Sequence, residues 1–289
     1  MLRTYLDSSA YGHIDSGEIP PEDVAAFRDA VNRGHIVALL SIADVEELLG
    51  SWETNRAAAV QRLRLARDLV GFDRMLKPPA DLLEDAIRAY ANGVEAPAPI
   101  APGRVRRFLA GSLNRIAGGS SRLASEVSEI ITDVRNQKES FHQAMTTALE
   151  RTRADLGRKS YTREERRALT FEVYWTKTAP SWAEAFADRV GLGEACRARG
   201  LDGLLGVRAV RIAVGAALSL VFSQVCEGFQ PERNDGYDLW HAIQASAADV
   251  FVTRDTLLAN RLARVPIDGF RVVTSLRELL PEPAPADTH

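Results

Sequence analysis

The sequence predicts an α/β protein with a parallel sheet, interrupted by a long, mostly α-helical insertion. Three observations carry this. Four short apolar runs rich in strand formers, at 2–6, 35–40, 249–252 and 269–273, read as strands, with helical patterns between them. Strand and helix alternate at both ends of the chain, which favours right-handed crossovers in one sheet. Between Arg104 and Glu227 no convincing strand occurs. A chain of 289 residues with 46% hydrophobic content can bury a full core, as one large domain or two small ones.

Taken in order, residues 2–6 alternate weakly, contain Thr4 and Tyr5, and end on Asp7-Ser8-Ser9. Residues 11–20, with Gly12, Gly17 and Pro20, read as a loop. A helix is expected over 21–34: proline in the first turn, Glu22 and Asp23 at the positive end of the dipole, glycine at the stop. The run 35–40 is the second strand, and Ser41 is a good N-cap for a helix carrying Asp44, Glu46 and Glu47. An Arg-rich amphipathic helix covers 54–69, and 72–76 reads as a third short strand stopped by Pro78-Pro79. Asp81 with Glu84 resembles a capping box opening a helix that Asn92-Gly93 ends.

Residues 95–103 form a proline-rich, semi-extended linker. Helices are then expected at 104–117, 120–156, 162–190 and 204–227, with Thr162/Glu165 and Ser181/Glu184 as capping boxes. The division that follows is a discontinuous core of 1–92 and 228–281, a helical insertion of 93–227 and a disordered tail of 282–289. The second half of the core holds a helix over 237–247, the strand 249–252, a helix over 256–263, the last strand, and a short helix capped by Ser275 and Glu278.

A formal net charge of -3 and a pI near 6.0 exclude a strongly basic nucleic-acid binder. The arginine clusters 62/64/67, 104/106/107 and 163/166/167 read first as solvated helix faces, with phosphate contact as the alternative. Tyr174-Trp175 and Trp182 read as packing residues. Cys196 and Cys226, without CxxC spacing, argue against zinc and against a disulfide framework, which implies a reducing, cytoplasmic compartment. The longest apolar run, 212–222, is short of the roughly 20 residues a membrane span needs, and is expected to be a core helix.

Four acids stand out by position. Asp7 ends the first strand, and Asp255 follows the strand 249–252. Glu47 and Asp238 lie on flanking helices that can lean over the same edge. The carboxyl edge of an open parallel sheet is where sites form. Crowded carboxylates repel and raise each other's pKa, and a hard divalent cation removes that penalty. The chemistry this offers is metal-assisted phosphodiester hydrolysis. No GxxxxGK[ST] and no GxGxxG occurs, against an NTPase or a dehydrogenase. Each acid also has a plainer reading: Asp7 as a turn residue, Asp238 as a dipole acid, Asp255 as an N-cap. Asp235 and Asp249 read as solvated, Trp240 as core, and His241 as a structural hydrogen-bonder or a group that positions a phosphate.

The segments Tyr5-Leu6-Asp7-Ser8-Ser9, Ser41 through Glu47-Leu48-Leu49, Asp238-Leu239-Trp240-His241 and Asp249-Val250-Phe251-Val252-Thr253-Arg254-Asp255 together resemble the PIN-domain nucleases. The resemblance covers roughly 1–92 and 228–281; the helical middle lies outside a minimal PIN domain. It implies a PIN-like three-layer core and a Mg²⁺- or Mn²⁺-dependent endoribonuclease with Asp7, Glu47, Asp238 and Asp255 as metal-binding catalytic acids. Glu46 is the rival for the role of Glu47. Ser8, Thr253 and His241 would support the site, and Arg254 would contact a substrate phosphate. RNA is the implied substrate; an antitoxin protein and a second copy of the chain are compatible partners, and no membrane is implied. The alternative is a binding module for nucleic acid or protein on a PIN-like core, its acids inert.

Overall fold

A computed structural model describes residues 1–120, 122–158, 169–265 and 267–280. Its four-stranded sheet is parallel throughout, in the order β2-β1-β3-β4, with β1 at Leu2–Leu6, β2 at Ile36–Leu39, β3 at Val250–Val252 and β4 at Arg271–Val273. Thr4 faces Ala38 on one side and Val250 on the other, and Tyr5 faces Leu39 and Phe251. The alternation of strand side chains sends Leu6, Ala38, Val250 and Val252 to one face, and Tyr5, Leu39 and Phe251 to the other.

Helices cover both faces. Against the first lie α1 (Ser8–Asp15), α2 (Pro21–Asn32), α3 (Ile42–Leu48), α4 (Arg56–Leu69) and α6 (Gly103–Ala117). Between α4 and α6 runs α5 (Pro79–Asn92), and after α6 comes α7 (Ala124–Arg158). The helices α8 (Phe171–Arg189), α9 (Gly193–Arg199) and α10 (Leu201–Leu205) form a third cluster with α5. Against the second face lie α11 (Arg208–Cys226), α12 (Asp235–Ala245) and α13 (Thr256–Ala263). By length and composition α11 could cross a membrane; here it is buried against α5, α8, α12 and α13. The helices of 93–227 share the core's own clusters: Leu113 and Ile116 join the first, Ile212 and Ala216 the second.

Several local expectations are corrected. Of the loop expected over 11–20, residues 11–15 belong instead to α1, because Asp7 caps a helix that starts at once, and 16–20 stay outside any helix. The segment 72–76 makes only single bridges, Leu40 to Met75 in parallel and Leu76 to Ile100 antiparallel. Its outer neighbour is the proline-rich linker, whose Pro97 and Pro99 have no N–H with which to extend a ladder. The helix α5 starts at Pro79 without a side-chain cap, so Asp81 lies inside its first turn and no Asp81/Glu84 box forms. Ser181 and Glu184 lie within α8, which continues past Pro180. The Thr162/Glu165 pair, Arg163, Arg166, Arg167 and the tail after Leu280 lie outside the described residues.

Candidate acidic site at the carboxyl edge of the sheet

The chain leaves β1 outward to β2 and returns on the other side to β3. The order therefore reverses between β1 and β3, and the crevice at their carboxyl ends is the switch point where open α/β sheets form sites. Asp7 lies there, its N–H donating to the Val252 carbonyl at 3.1 Å. As N-cap of α1 its Oδ1 accepts from the Ala10 N–H at 3.0 Å and the Ser9 hydroxyl at 2.7 Å. The Thr253 hydroxyl donates to its Oδ2 at 2.5 Å. Asp7 is 3% exposed, and burial raises its pKa, against the opposing pull of His241 and these donors.

The Thr253 hydroxyl also accepts from the Asp255 N–H at 3.0 Å, joining the tips of β1 and β3. Asp255 caps α13, its Oδ1 accepting from the Leu257 and Leu258 N–H groups at 2.8 and 2.9 Å. The N-cap expectation and the edge-acid expectation thus describe the same residue. The Arg254 N–H donates to Ser9 Oγ at 2.9 Å, while its exposed guanidinium is turned to the Thr274 carbonyl at 3.1 Å.

Glu47 closes the opposite side. Its Oε2 accepts from the Ser8 hydroxyl at 2.5 Å and from His241 Nε2 at 3.0 Å, and its Oε1 from Lys138 Nζ at 2.9 Å. Burial pushes its pKa up, but His241, Lys138 and Ser8 outweigh this and hold it at about 2. Glu46 points elsewhere and accepts from the Tyr237 hydroxyl at 2.9 Å, so Glu47 is the helix acid of this network.

His241 is a structural hydrogen-bonder to side chains on both ring nitrogens. Burial opposes its charge, yet Glu47, Asp44 and Asp7 raise its pKa to about 9, so it is an imidazolium at neutral pH. Its Nδ1 lies 2.5 Å from the Tyr5 hydroxyl, which donates to Asp44 Oδ1 at 3.2 Å. Asp44 completes a capping box with Ser41 and is wholly buried, which lifts its pKa to about 7. Sequence reasoning missed Asp44 and Tyr5 as members of the site, though the Ser41-x-x-Asp44 spacing signals the box.

Asp238 lies one turn from His241 on α12. Burial first, then the charge of Asp255, lifts its pKa to about 7, although Arg261 Nη1 donates to it at 3.0 Å. The same guanidinium donates to Asp235 at 2.9 Å, which also accepts from Gln224 Nε2 at 2.9 Å. Asp235 is therefore a buried acid, 2% exposed, and not the solvated turn residue its sequence position suggests. Its partners come from α11 and α13, which no local pattern reveals.

The edge thus holds two hydrogen-bonded groups, Asp7 with Ser9, Thr253 and the Asp255 N–H, and Glu47 with Ser8, His241 and Lys138. Charge links Asp7 to His241, and Asp238 to His241 and Asp255. The donors are hard carboxylate oxygens, the chemistry that suits Mg²⁺ or Mn²⁺. Asp7 and Asp238 are both raised, and a nearby cation would bring both down. Among the described residues no three carboxylate, imidazole or thiol groups are arranged to hold a metal ion directly. An ion held here would have to keep several of its waters, as Mg²⁺ usually does. No protein-family model, curated protein or solved structure matches the chain.

Proposed function

We propose that this chain is a metal-dependent endoribonuclease built on a PIN-like core, with Asp7, Glu47, Asp238 and Asp255 as its metal-binding acids. The observation that carries the reading is Asp7 at the switch point, buried, with no basic side chain among the described residues bonded to it, and bridged through Thr253 to Asp255. Bound Mg²⁺ or Mn²⁺ supplies Lewis-acid polarisation of a phosphodiester and lowers the pKa of water. Thr253, Ser9 and the α1 N-terminus fix the orientation of Asp7. Ser8 and His241 fix Glu47, and Tyr5 and Asp44 hold the imidazolium from behind. Asp238 and Asp255 present a second carboxylate pair from α12 and the tip of β3. RNA is the substrate in this reading, and a toxin held by an antitoxin is compatible with it.

A second reading, a binding module with inert acids, draws on a different observation. His241, Lys138 and Arg261 already sit against Glu47, Asp238 and Asp235. Incubating labelled RNA with Mn²⁺ and the purified chain separates the two. Cleavage should occur with the natural protein and drop by at least about a hundredfold in Asp7→Asn and Asp255→Asn, the scale of losing one electrostatic group in a site. No cleavage by the natural protein would leave only the second reading, and full cleavage by both folded variants would remove these acids from the mechanism.

A further inference from the structure

The helix α7 belongs to no strand–helix unit of the sheet, yet it packs on both α3 and α12, the helices that carry Glu47 and Asp238. Three residues of one helical face make the crossing, at the i, i+4, i+7 spacing of a stripe. Val134 is buried in a cluster with Ala43 and Tyr237. The Phe141 ring lies so close to Gly236 that a Cβ there would come within 2.7 Å of it. Between them Lys138 reaches into the site.

The Lys138 ammonium is held by three neighbours. It donates to Glu47 Oε1 at 2.9 Å and to Asn234 Oδ1 at 3.1 Å, and it sits 4.2 Å from the Tyr237 ring centroid. An ammonium has three N–H groups and no acceptor, and here two carry hydrogen bonds and the charge faces a π-surface. In this position it neutralises one of the acids that a divalent cation would need. Upstream, Val127 and Ile131 anchor α7 in the first core cluster. Over the site the rim is held by exposed pairs, Arg135 with Glu53 and Arg233 with Glu139, of the kind worth little.

We propose that α7 is an autoinhibitory strap, with Lys138 as a built-in counter-cation that occupies Glu47 until a divalent cation and substrate displace it. The proposal rests on the metal-dependent reading above and adds its regulation. It predicts that metal binding and the seating of α7 oppose each other.

The test titrates MnCl₂ into the full chain by calorimetry, for the natural protein, Lys138→Met and Lys138→Arg, with melting curves to establish that each is folded. Lys138→Met should bind Mn²⁺ roughly tenfold tighter, the scale of one charge-assisted hydrogen bond removed, and Lys138→Arg should bind within a few-fold of the natural protein. In parallel, Mn²⁺ should speed amide hydrogen exchange across 134–141 of the natural chain, an effect that simple removal of a positive charge does not produce. Equal Mn²⁺ affinity in the natural and Lys138→Met proteins, or unchanged exchange in α7, would overturn the strap while leaving metal binding intact. Absence of Mn²⁺ binding in all three proteins would overturn the metal site and the strap together.

Discussion

The two edges of the sheet hold the same residue type in opposite circumstances. At the amino edge, Asp249 precedes β3 with its side chain 28% exposed, bonded to Arg3 at 2.8 Å and 3.6 Å from Arg208. Arg3 holds its pKa below the ordinary carboxylate value. At the carboxyl edge, Asp7 follows β1, is buried, bonds to hydroxyls and a backbone N–H, and is raised. An acid paired with arginines at the surface is already balanced. An acid buried among neutral donors carries an unmet demand for positive charge, and that demand separates a site from a structural ion pair.

At Arg261 the carboxyl edge does pair its acids with an arginine. Arg261 is 3% exposed and serves both Asp235 and Asp238. Arg261→Met strands a buried carboxylate, Asp235, and a partly buried one, Asp238, and should cost about 3–5 kcal/mol in urea unfolding, as breaking a buried pair from one side does. A loss below about 1 kcal/mol would mean that the acids find other partners or simply take up protons.

The next effect is one of pH. His241 is raised from 6.5 to about 9, so its stabilising contribution is complete below 6.5 and is lost as pH rises through about 9. Asp44 and Asp238 run the opposite way to ordinary acids. Each is raised from 3.8 to about 7, so each favours the folded state while protonated and withdraws that stability as pH climbs from about 4 through 7. Stability should therefore fall between pH 5 and 9, and in His241→Gln the part of the fall above pH 7 should shrink. A natural protein with flat stability over this range would contradict the assigned charges. The smallest effect belongs to the amino edge: Asp249→Ala should cost under about 1 kcal/mol, because its pair with Arg3 is partly solvated.

How much of this could be read from the sequence follows from the range of the forces involved. The bounds of β1 and α13, the Ser41 cap and the Ser275/Glu278 box depend on period and on neighbours three residues away, and each was legible. So was the place of Asp7 and Asp255 beyond the ends of β1 and β3, because strand ends mark the sheet edge. The fate of 72–76 was not legible, since its strand-like run meets a linker too rich in proline to pair. Nor was the burial of Asp235, whose partners Gln224 and Arg261 come from two other helices. Lys138 lies 91 positions from Glu47, and nothing about a single lysine on a polar helix marks it as a resident of the site.

An unmet demand for a cation at the carboxyl edge would show in the thermal response to Mn²⁺. In the natural protein Mn²⁺ at a hundredfold excess over its Kd should add about 2.7 kcal/mol of stability and raise Tm accordingly. Asp7→Asn, which keeps the cap of α1 and removes the charge, should start at an equal or higher Tm and gain little from the metal. A natural protein whose Tm does not move with Mn²⁺, or an Asp7→Asn variant that rises as far as the natural one, would contradict the account.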